Sequence, residues 1–496
     1  MSGPSHRPAS GRAHGDGRGA RPCAPGAQAQ GSAARREAHR AEPAGTGDAA
    51  RCNADSGEAQ PVLTATAQAG EAGTGRRLRL GGRTFQSLSN RNYRLFATGQ
   101  VISNTGSWMQ RVAQDWLVLE LTHGSGTALG ITTGLQFLPL LLFSLWGGMI
   151  ADRYSKRAIL MVTQTLMGGL AVILGILALT GTVQIWHVYL LAFGLGLVTV
   201  VDNPTRQAFA AEMVGSTAIP NAIALNSAVF NLARIAGPAV AGLVISVAGT
   251  PAAFLVNAAS YAAVLVSLKL MRPSDLHRVD RMPRAKGQLH EGLAYIQGRP
   301  DLWMPMILVF FVATFGMNFQ VTNALMSRQV FHTGAGAFGI ASAVYALGAL
   351  GGALLAARRV RPGLRLLLAT AGAFGLLEVA TGLMPDFWSF LILLVPTGLA
   401  VITFTTTANS TTQLGTTAEM RGRVMGLYLL VFLGGAPLGS PLVGWAAEQF
   451  GPRMSMIAGG LISVAATAVV GGMLARRRGR PAREYLRPAE LARMVA

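Results

Sequence analysis

From Leu95 onward the chain sets one apolar stretch after another, separated by short polar breaks. Each is close to the roughly 20 residues that a helix needs to cross hydrocarbon. Lipid offers no partner to a backbone N–H or C=O, so each crossing segment must satisfy its own, and a helix does so. The stretches fall at 95–120, 128–150, 158–180, 186–208, 220–247, 252–271, 303–326, 337–357, 364–384, 387–411, 424–447 and 454–475. The pattern predicts an all-α membrane protein of 12 transmembrane helices. Composition agrees, with 51% hydrophobic and 13% charged residues and a mean hydropathy of +0.39, outside the usual range for a soluble protein of this length.

The net charge of +20 does not point to nucleic acid, because the basic residues lie between spans and not on one soluble, aromatic-studded module. One set of loops carries Arg153, Lys156 and Arg157, then Arg272, Arg278, Arg281, Arg284 and Lys286, then Arg358, Arg359 and Arg361, then Arg421 and Arg423. The other set has little beyond Arg328 and Arg453, so both termini are expected to be cytoplasmic. Lysine occurs only at 156, 269 and 286. That arginine bias, with abundant Ala and Gly, is the composition of a high-GC bacterium and suggests a bacterial cell membrane.

Residues 1–85 hold hardly any large apolar side chain and are expected to form a disordered basic tail. They contain no continuous apolar h-region, so a secretory signal peptide is not expected there. No Met stands between Met1 and Met109, which leaves Val62 as an alternative start. The remaining organisation is a six-helix bundle over 90–271, a central cytoplasmic loop over 272–302, a second six-helix bundle over 303–475 and a basic cytoplasmic tail over 476–496. Within the central loop, "GQLHEGLAYIQG" predicts a short amphipathic helix on the membrane surface.

The two bundles look alike. "THGSGTALGI", ending at Ile131, parallels "HTGAGAFGI", ending at Ile340; "GGMIADR" (147–153) parallels "GGALLAA" (351–357); Pro238 matches Pro437. A duplication of six spans in one orientation predicts a parallel internal repeat. It also accounts for "GAGAFG" (334–339), which fits a dinucleotide fingerprint but follows a turn between spans and has "GSGTALG" as its counterpart. There is no P-loop, no histidine cluster at ligand spacing, and no nucleophile with a base nearby. Cys23 and Cys52 both lie in the N-terminal tail. The expectation is therefore no enzyme, no cofactor and no metal site.

The loop "GGMIADRYSKR" resembles the signature loop of the major facilitator superfamily. "RNYRLFATGQVISNTGSWMQ", "QFLPLLLFSLWGGMIADR", "DNPTRQAF", "NAIALN" and "RIAGPAVAG" are similar to its enterobactin-exporter-like branch, the transmembrane secretion effectors, over residues 90–475. The resemblance implies the two-bundle facilitator fold and an efflux function. It also implies that Gly148, Asp152, Arg153, Lys156 and Arg157 latch a cytoplasmic gate, and that Gly237, Pro238 and Gly242 form the Gly-Pro motif associated with antiporters. Ser155 stands where the signature usually has Gly, and Ala356 stands where the second copy would have its Asp. Span four has no Arg in its first half, "VYLLAFGLGLV", where many proton-coupled drug antiporters carry one.

Candidate site residues follow from polar groups in spans. Gln100, Asn104, Ser107, Arg111 and Gln114 recur at three- and four-residue steps, with Trp108 and Asp115 at the stripe's edge. A charge facing lipid costs on the order of 2.5–3.5 kcal/mol even on insertion scales, so this face is expected to line a wet cavity. Arg111 and Asp115, at i and i+4, are expected to neutralise each other, with Asp115 as a coupling or substrate-contact carboxylate or, on the plainer reading, a structural partner. Asp202 and Arg206 form a second such pair flanking Pro204, suggesting a helix break or gate. Arg234 is read as a counter-ion to a carboxylate such as Asp115 or as a contact for an anionic substrate. Glu378 is either a proton site or a hydrated group near the outer interface. Asn318, Thr406 and Asn409 offer polar contacts in the second bundle, unless their groups simply bond along their own helices. The function expected is a secondary active transporter that exports a small organic molecule, such as a drug, antibiotic or siderophore, by alternating access with proton antiport. Its partners are that substrate, protons and the bilayer. Uptake or uncoupled facilitation is the alternative, and a sensor or scaffold that moves nothing is a third reading.

Overall fold

The computed structural model describes residues 86–215, 218–276, 288–357 and 363–478. The expectations for tails 1–85 and 479–496, for Arg278, Arg281, Arg284 and Lys286, and for Arg358, Arg359 and Arg361 lie outside the described residues. Everything described is helix or short connection, with no strand among the described residues. In chain order the helices are α1 (Arg91–Leu121), α2 (Gly126–Arg153), α3 (Lys156–Leu179), α4 (Ile185–Val214), α5 (Ile219–Leu270), α6 (Gln288–Gln297), α7 (Pro300–Phe311), α8 (Phe319–Leu325), α9 (Ala335–Ala357), α10 (Leu364–Gly382), α11 (Phe387–Leu414), α12 (Arg421–Phe450) and α13 (Pro452–Arg478).

Among the described residues, ten helices are long and apolar enough to cross a membrane. The 31-residue α1 is not one of them, because its polar stripe lowers its hydropathy. The 52-residue α5 counts once, although its backbone turns at Gly249, where φ is 77°. A side chain at that φ would be strained, so glycine permits the corner. The seventh expected span is also irregular. Between α7 and α8 lies a π-turn at Val312–Gly316, and a second π-turn, Met326–Val330, follows α8. Asn318 heals the gap between the first π-turn and α8 by donating from Nδ2 to the Thr314 carbonyl (2.7 Å) and accepting at Oδ1 from Ser440 Oγ (2.8 Å). π-turns frequently sit at functional positions.

One expectation needs correcting here. Pro204 does not break α4, which is helical through it from Ile185 to Val214. A proline has no N–H to give residue i−4, which frees the Val200 carbonyl, and Gly147 of α2 fills that place: a Cβ there would strike the Val200 oxygen. Residues Gln288–Gln297 do form the short helix expected within the central loop, α6, and it packs on the start of α12: Gly292 lies against Leu427 and Arg423, and Glu291 forms an ion pair with Arg423.

The N-terminal helices α1–α5 and the C-terminal helices α7–α13 meet along two seams. In one, α2 lies on α12, and a Cβ on Gly126 or Gly130 would collide with the Gly444 or Ser440 carbonyl oxygen. In the other, α5 lies on α9, where Gly242 faces Gly336 and a Cβ on Gly339 would strike the Pro238 oxygen. With no hydrophobic drive between helices in lipid, such close backbone approach through small residues holds them. Both seams run from the end of the bundle that carries the turns near 123, 332 and 451. A single apolar core at that end draws on both halves, including Leu117, Leu119, Phe254, Leu325 and Phe338. Away from it the cores are separate, one built on Tyr93, Phe209 and Leu268 and the other on Phe374, Phe404 and Tyr428. Glu448 reinforces the shared end by accepting from Ser125 Oγ (2.7 Å) and the Thr127 backbone N–H (2.9 Å), so α12 caps the N-terminus of α2.

Candidate functional site

Two neighbouring cavities occupy the middle of the bundle. The first, about 360 Å³, lies within the N-terminal half and has polar side chains, Asn104, Asp202, Asn203 and Arg206 among them, set in a wall that also carries Phe137, Leu140 and Phe230. The second, about 220 Å³, lies between the halves, with Trp108, Arg111 and Arg234 on one side and Gln320, Asn323 and Tyr345 on the other. Trp108, Arg111 and Phe137 line both.

In the first cavity the i, i+4 spacing of Asp202 and Arg206 does produce an ion pair. Three helices hold it. Asp202 Oδ1 accepts from Thr163 Oγ1 (2.7 Å) and Gln164 Nε2 (2.9 Å) of α3, while Arg206 Nη1 donates to Gln100 Oε1 (2.8 Å) and Asn104 Oδ1 (3.0 Å) of α1. Asp202 is 0% exposed. The pair is therefore the hub of a buried network, and half of the α1 stripe serves it.

The other half of the stripe behaves differently. Arg111 and Asp115 form no ion pair among the described residues. Arg111 sits over the faces of Trp108 (4.9 Å) and Phe137 (5.6 Å), and Asp115 Oδ2 accepts from Gln320 Nε2 of α8 (2.6 Å), across the seam between the halves. Arg234 lies over Trp108 (5.9 Å) and Tyr345 (6.0 Å), not beside a carboxylate. Glu378 is 2% exposed, which removes the hydrated-interface reading, and its Oε2 has no hydrogen-bond partner among the described residues. Its carboxyl faces Gly316 in the π-turn and Gly459 of α13.

Asp115, Asn318, Glu378, Thr406 and Asn409 line neither cavity. Thr406 bonds to the Ile402 carbonyl of its own helix (2.7 Å), and Asn409 accepts from Gln413 (2.7 Å), so the plain reading holds for them. Of the signature loop, Lys156 pairs with Glu212 (2.5 Å) and Arg157 Nε donates to the Leu268 carbonyl (2.8 Å), joining α3 to α4 and to the end of α5; Asp152 and Arg153 also have partners. Gly147 is buried against Val200 of α4, and Gly148 is half-buried. Gly237 packs on Trp108 and Thr105 of α1, whereas Pro238 and Gly242 lie on the seam with α9. Sequence reasoning missed Phe137, Gln320 and Tyr345 as wall residues and Glu448 as a cross-half cap. A lone Tyr in the Ala- and Gly-rich α9 was the one available signal.

A helical bundle of two halves enclosing a central cavity is the architecture of a facilitator-type membrane transporter, and the comparisons agree. A solved transporter of the POT family, in complex with a thioalcohol-conjugated peptide, matches this chain with a TM-score of 0.62 at 14% identity, covering 80% of this chain and 99% of that one. The chain belongs to the transmembrane secretion effector family of the major facilitator superfamily, whose profile matches residues 83–484. The staphyloferrin A transporter of Staphylococcus aureus is 29% identical over 252 residues, which cover 49% of this chain and 62% of that protein. The multidrug efflux pump Tap of Mycobacterium tuberculosis is 26% identical over 389 residues, 73% of this chain and 88% of the pump. The protein is thus a multi-pass bacterial membrane transporter of small molecules and not an enzyme.

Proposed function

We propose that the protein exports small organic molecules by alternating access and that protons drive the cycle. The observation that carries this reading is the asymmetry of the bundle: the halves share one apolar core at a single end, and the cavity between them lies below it. Cytoplasmic termini, argued from the arginine-rich loops, make the closed end the outer one. Drug efflux by the relative from Mycobacterium tuberculosis supports the direction.

Twelve spans and a parallel repeat belong to this reading. Helix α1 adds a polar span to the ten apolar ones, and the corner at Gly249 divides α5 in two, as Gly451 (φ 87°) separates α12 from α13. His123 and His332, at matching turns, have φ of 54° and 51°. The α2–α12 and α5–α9 seams are also counterparts, since Gly130 and Gly339 hold equivalent places in them. Rocking the halves apart at the outer end would break the Glu448 cap and the Asp115–Gln320 bond and close the bundle at the signature-loop end.

Glu378 is the group we assign to proton coupling. Its buried Oε2 without a hydrogen-bond partner among the described residues leaves a place for a proton to bind within a span. The π-turn beside it is a stretch of backbone that can change register. Asp115, tied to Gln320, acts as a cross-half link. The test is uptake of ethidium, erythromycin and carboxyfluorescein into inverted vesicles with and without an imposed pH gradient. Wild type should accumulate at least one of them under the gradient. Glu378→Gln should lose the gradient response while keeping exchange. Retention of the response in Glu378→Gln and its loss in Asp115→Asn would move coupling to α1. No movement of any probe would overturn transport itself.

A further inference from the structure

The cavity between the halves has an unbalanced charge. Two guanidinium groups reach it, Arg111 from α1 and Arg234 from α5, and both lie over the same indole, Trp108. No carboxylate lines it. The nearby carboxylates lie outside its wall: Asp115, one turn along α1 from Arg111, attracts that guanidinium without forming an ion pair and is bonded to Gln320, Asp202 is paired with Arg206 in the adjoining cavity, and Glu378 faces the π-turn and α13. Neither Arg111 nor Arg234 has an ion-pair partner among the described residues.

Two like charges beside one ring, in a bundle interior where neither has an ion-pair partner among the described residues, repel each other and lose hydration, and the attraction of Asp115 reaches Arg111 from outside the cavity wall. Aromatic faces offset only part of that cost. A charge arrangement that the fold does not balance is a place for a ligand to balance it. Guanidinium groups present planar donor forks that match carboxylate, phenolate and sulfonate oxygens, and the match strengthens as water leaves. The rest of the wall is aromatic: Phe137 backs Arg111, and Tyr345 beside Arg234 is stacked on Phe319 at 4.5 Å. Ring and anion are thus served from one spot.

We propose that this cavity selects aromatic organic anions, with the anionic group held between Arg111 and Arg234 and its ring system against Trp108 and Tyr345. The assignment rests on the export reading above and names its substrate class. Lipophilic cations are disfavoured by the same two arginines. The adjoining cavity shares Trp108, Arg111 and Phe137, so a longer substrate extends toward the Asp202–Arg206 network.

The experiment uses inverted vesicles containing the full chain and two fluorescent probes of opposite charge, carboxyfluorescein and ethidium. Wild type should take up carboxyfluorescein with saturation, and an excess of naphthalene-disulfonate should inhibit that uptake where tetraphenylphosphonium does not. Arg111→Gln and Arg234→Gln should each raise the half-saturating concentration at least tenfold, with Arg→Lys at either place intermediate. Ethidium uptake with carboxyfluorescein excluded overturns the anion assignment and leaves export standing. Carboxyfluorescein uptake that tetraphenylphosphonium inhibits as well as naphthalene-disulfonate does also overturns it, and this arm needs only the wild-type protein. If neither probe moves, the anion assignment falls, and the export reading falls with it only if erythromycin does not move either.

Discussion

Replacing Asp202 with alanine takes one carboxylate out of a network that joins α1, α3 and α4. Its Oδ1 accepts from Thr163 at 2.7 Å and Gln164 at 2.9 Å, and its Oδ2 pairs with Arg206. Removing one partner of a buried ion pair costs roughly 3–5 kcal/mol, because the other charge stays behind without compensation. Arg206 keeps 19% of its side chain accessible and retains Gln100 and Asn104 as acceptors. The low end of the range therefore applies, about 3 kcal/mol or roughly a 150-fold loss in the folding equilibrium. Arg206→Ala should cost at least as much, since it strands the wholly buried Asp202 with only the neutral donors Thr163 and Gln164. The double variant should be more stable than the two single losses added together, by about 2 kcal/mol. The assay is reversible unfolding by dodecyl sulfate in mixed lipid–detergent micelles, run on wild type, both singles and the double. Losses that add to within about 0.5 kcal/mol would show that the pair is not coupled and would refute the hub assignment.

Two further outcomes test other parts of the structure. Gly130→Val places a branched side chain where a single Cβ already meets the Ser440 carbonyl, so the α2–α12 seam should fail to close; solute accumulation should fall at least tenfold while the amount of folded protein in the membrane stays near wild type, and normal accumulation would mean that this seam opens no gate. Asp386, between α10 and α11, caps α11 by accepting from the Ser389 and Trp388 backbone N–H groups. The Ser389 bonds, first its backbone and then its hydroxyl, hold this carboxyl below the usual carboxylate range. A depressed folded-state value stabilises above the unfolded value of about 4 and is lost as pH falls through the folded one. Asp386→Ala should accordingly lower the unfolding midpoint at pH 6 and much less at pH 3, and an equal deficit at both would assign the cap to something other than the carboxylate.

Much of the protein could be read from the chain alone, because hydrocarbon imposes a length and a polarity on whatever crosses it. The run of apolar stretches, the arginine-rich loops, the matching "THGSGTALGI" and "HTGAGAFGI" turns and the facilitator-like signature all follow from local composition. The polar stripe on α1 was legible for the same reason: a 3.6-residue period reports which side chains share a face. What a period cannot report is what stands opposite. Asp202–Arg206 and Arg111–Asp115 have the same spacing, yet one is an ion pair and the other is not. The difference lies in the neighbours. Around Asp202, α3 offers Thr163 and Gln164, and α1 offers amides to Arg206, so the pair is the best bonded arrangement. Around Arg111 the neighbouring surfaces are the rings of Trp108 and Phe137, and Gln320 reaches Asp115 from the other half of the molecule. Asn318, Thr406 and Asn409 looked as polar as any cavity residue, but the bonds they make along helices and to α12 were set by rotamer and packing. The sequence by itself determined that helices would form, about where most of them would lie and that one face of α1 would be polar; only the tertiary structure decided where the seventh span breaks, which charges meet and which two arginines have no ion-pair partner among the described residues, since those depend on groups hundreds of residues apart.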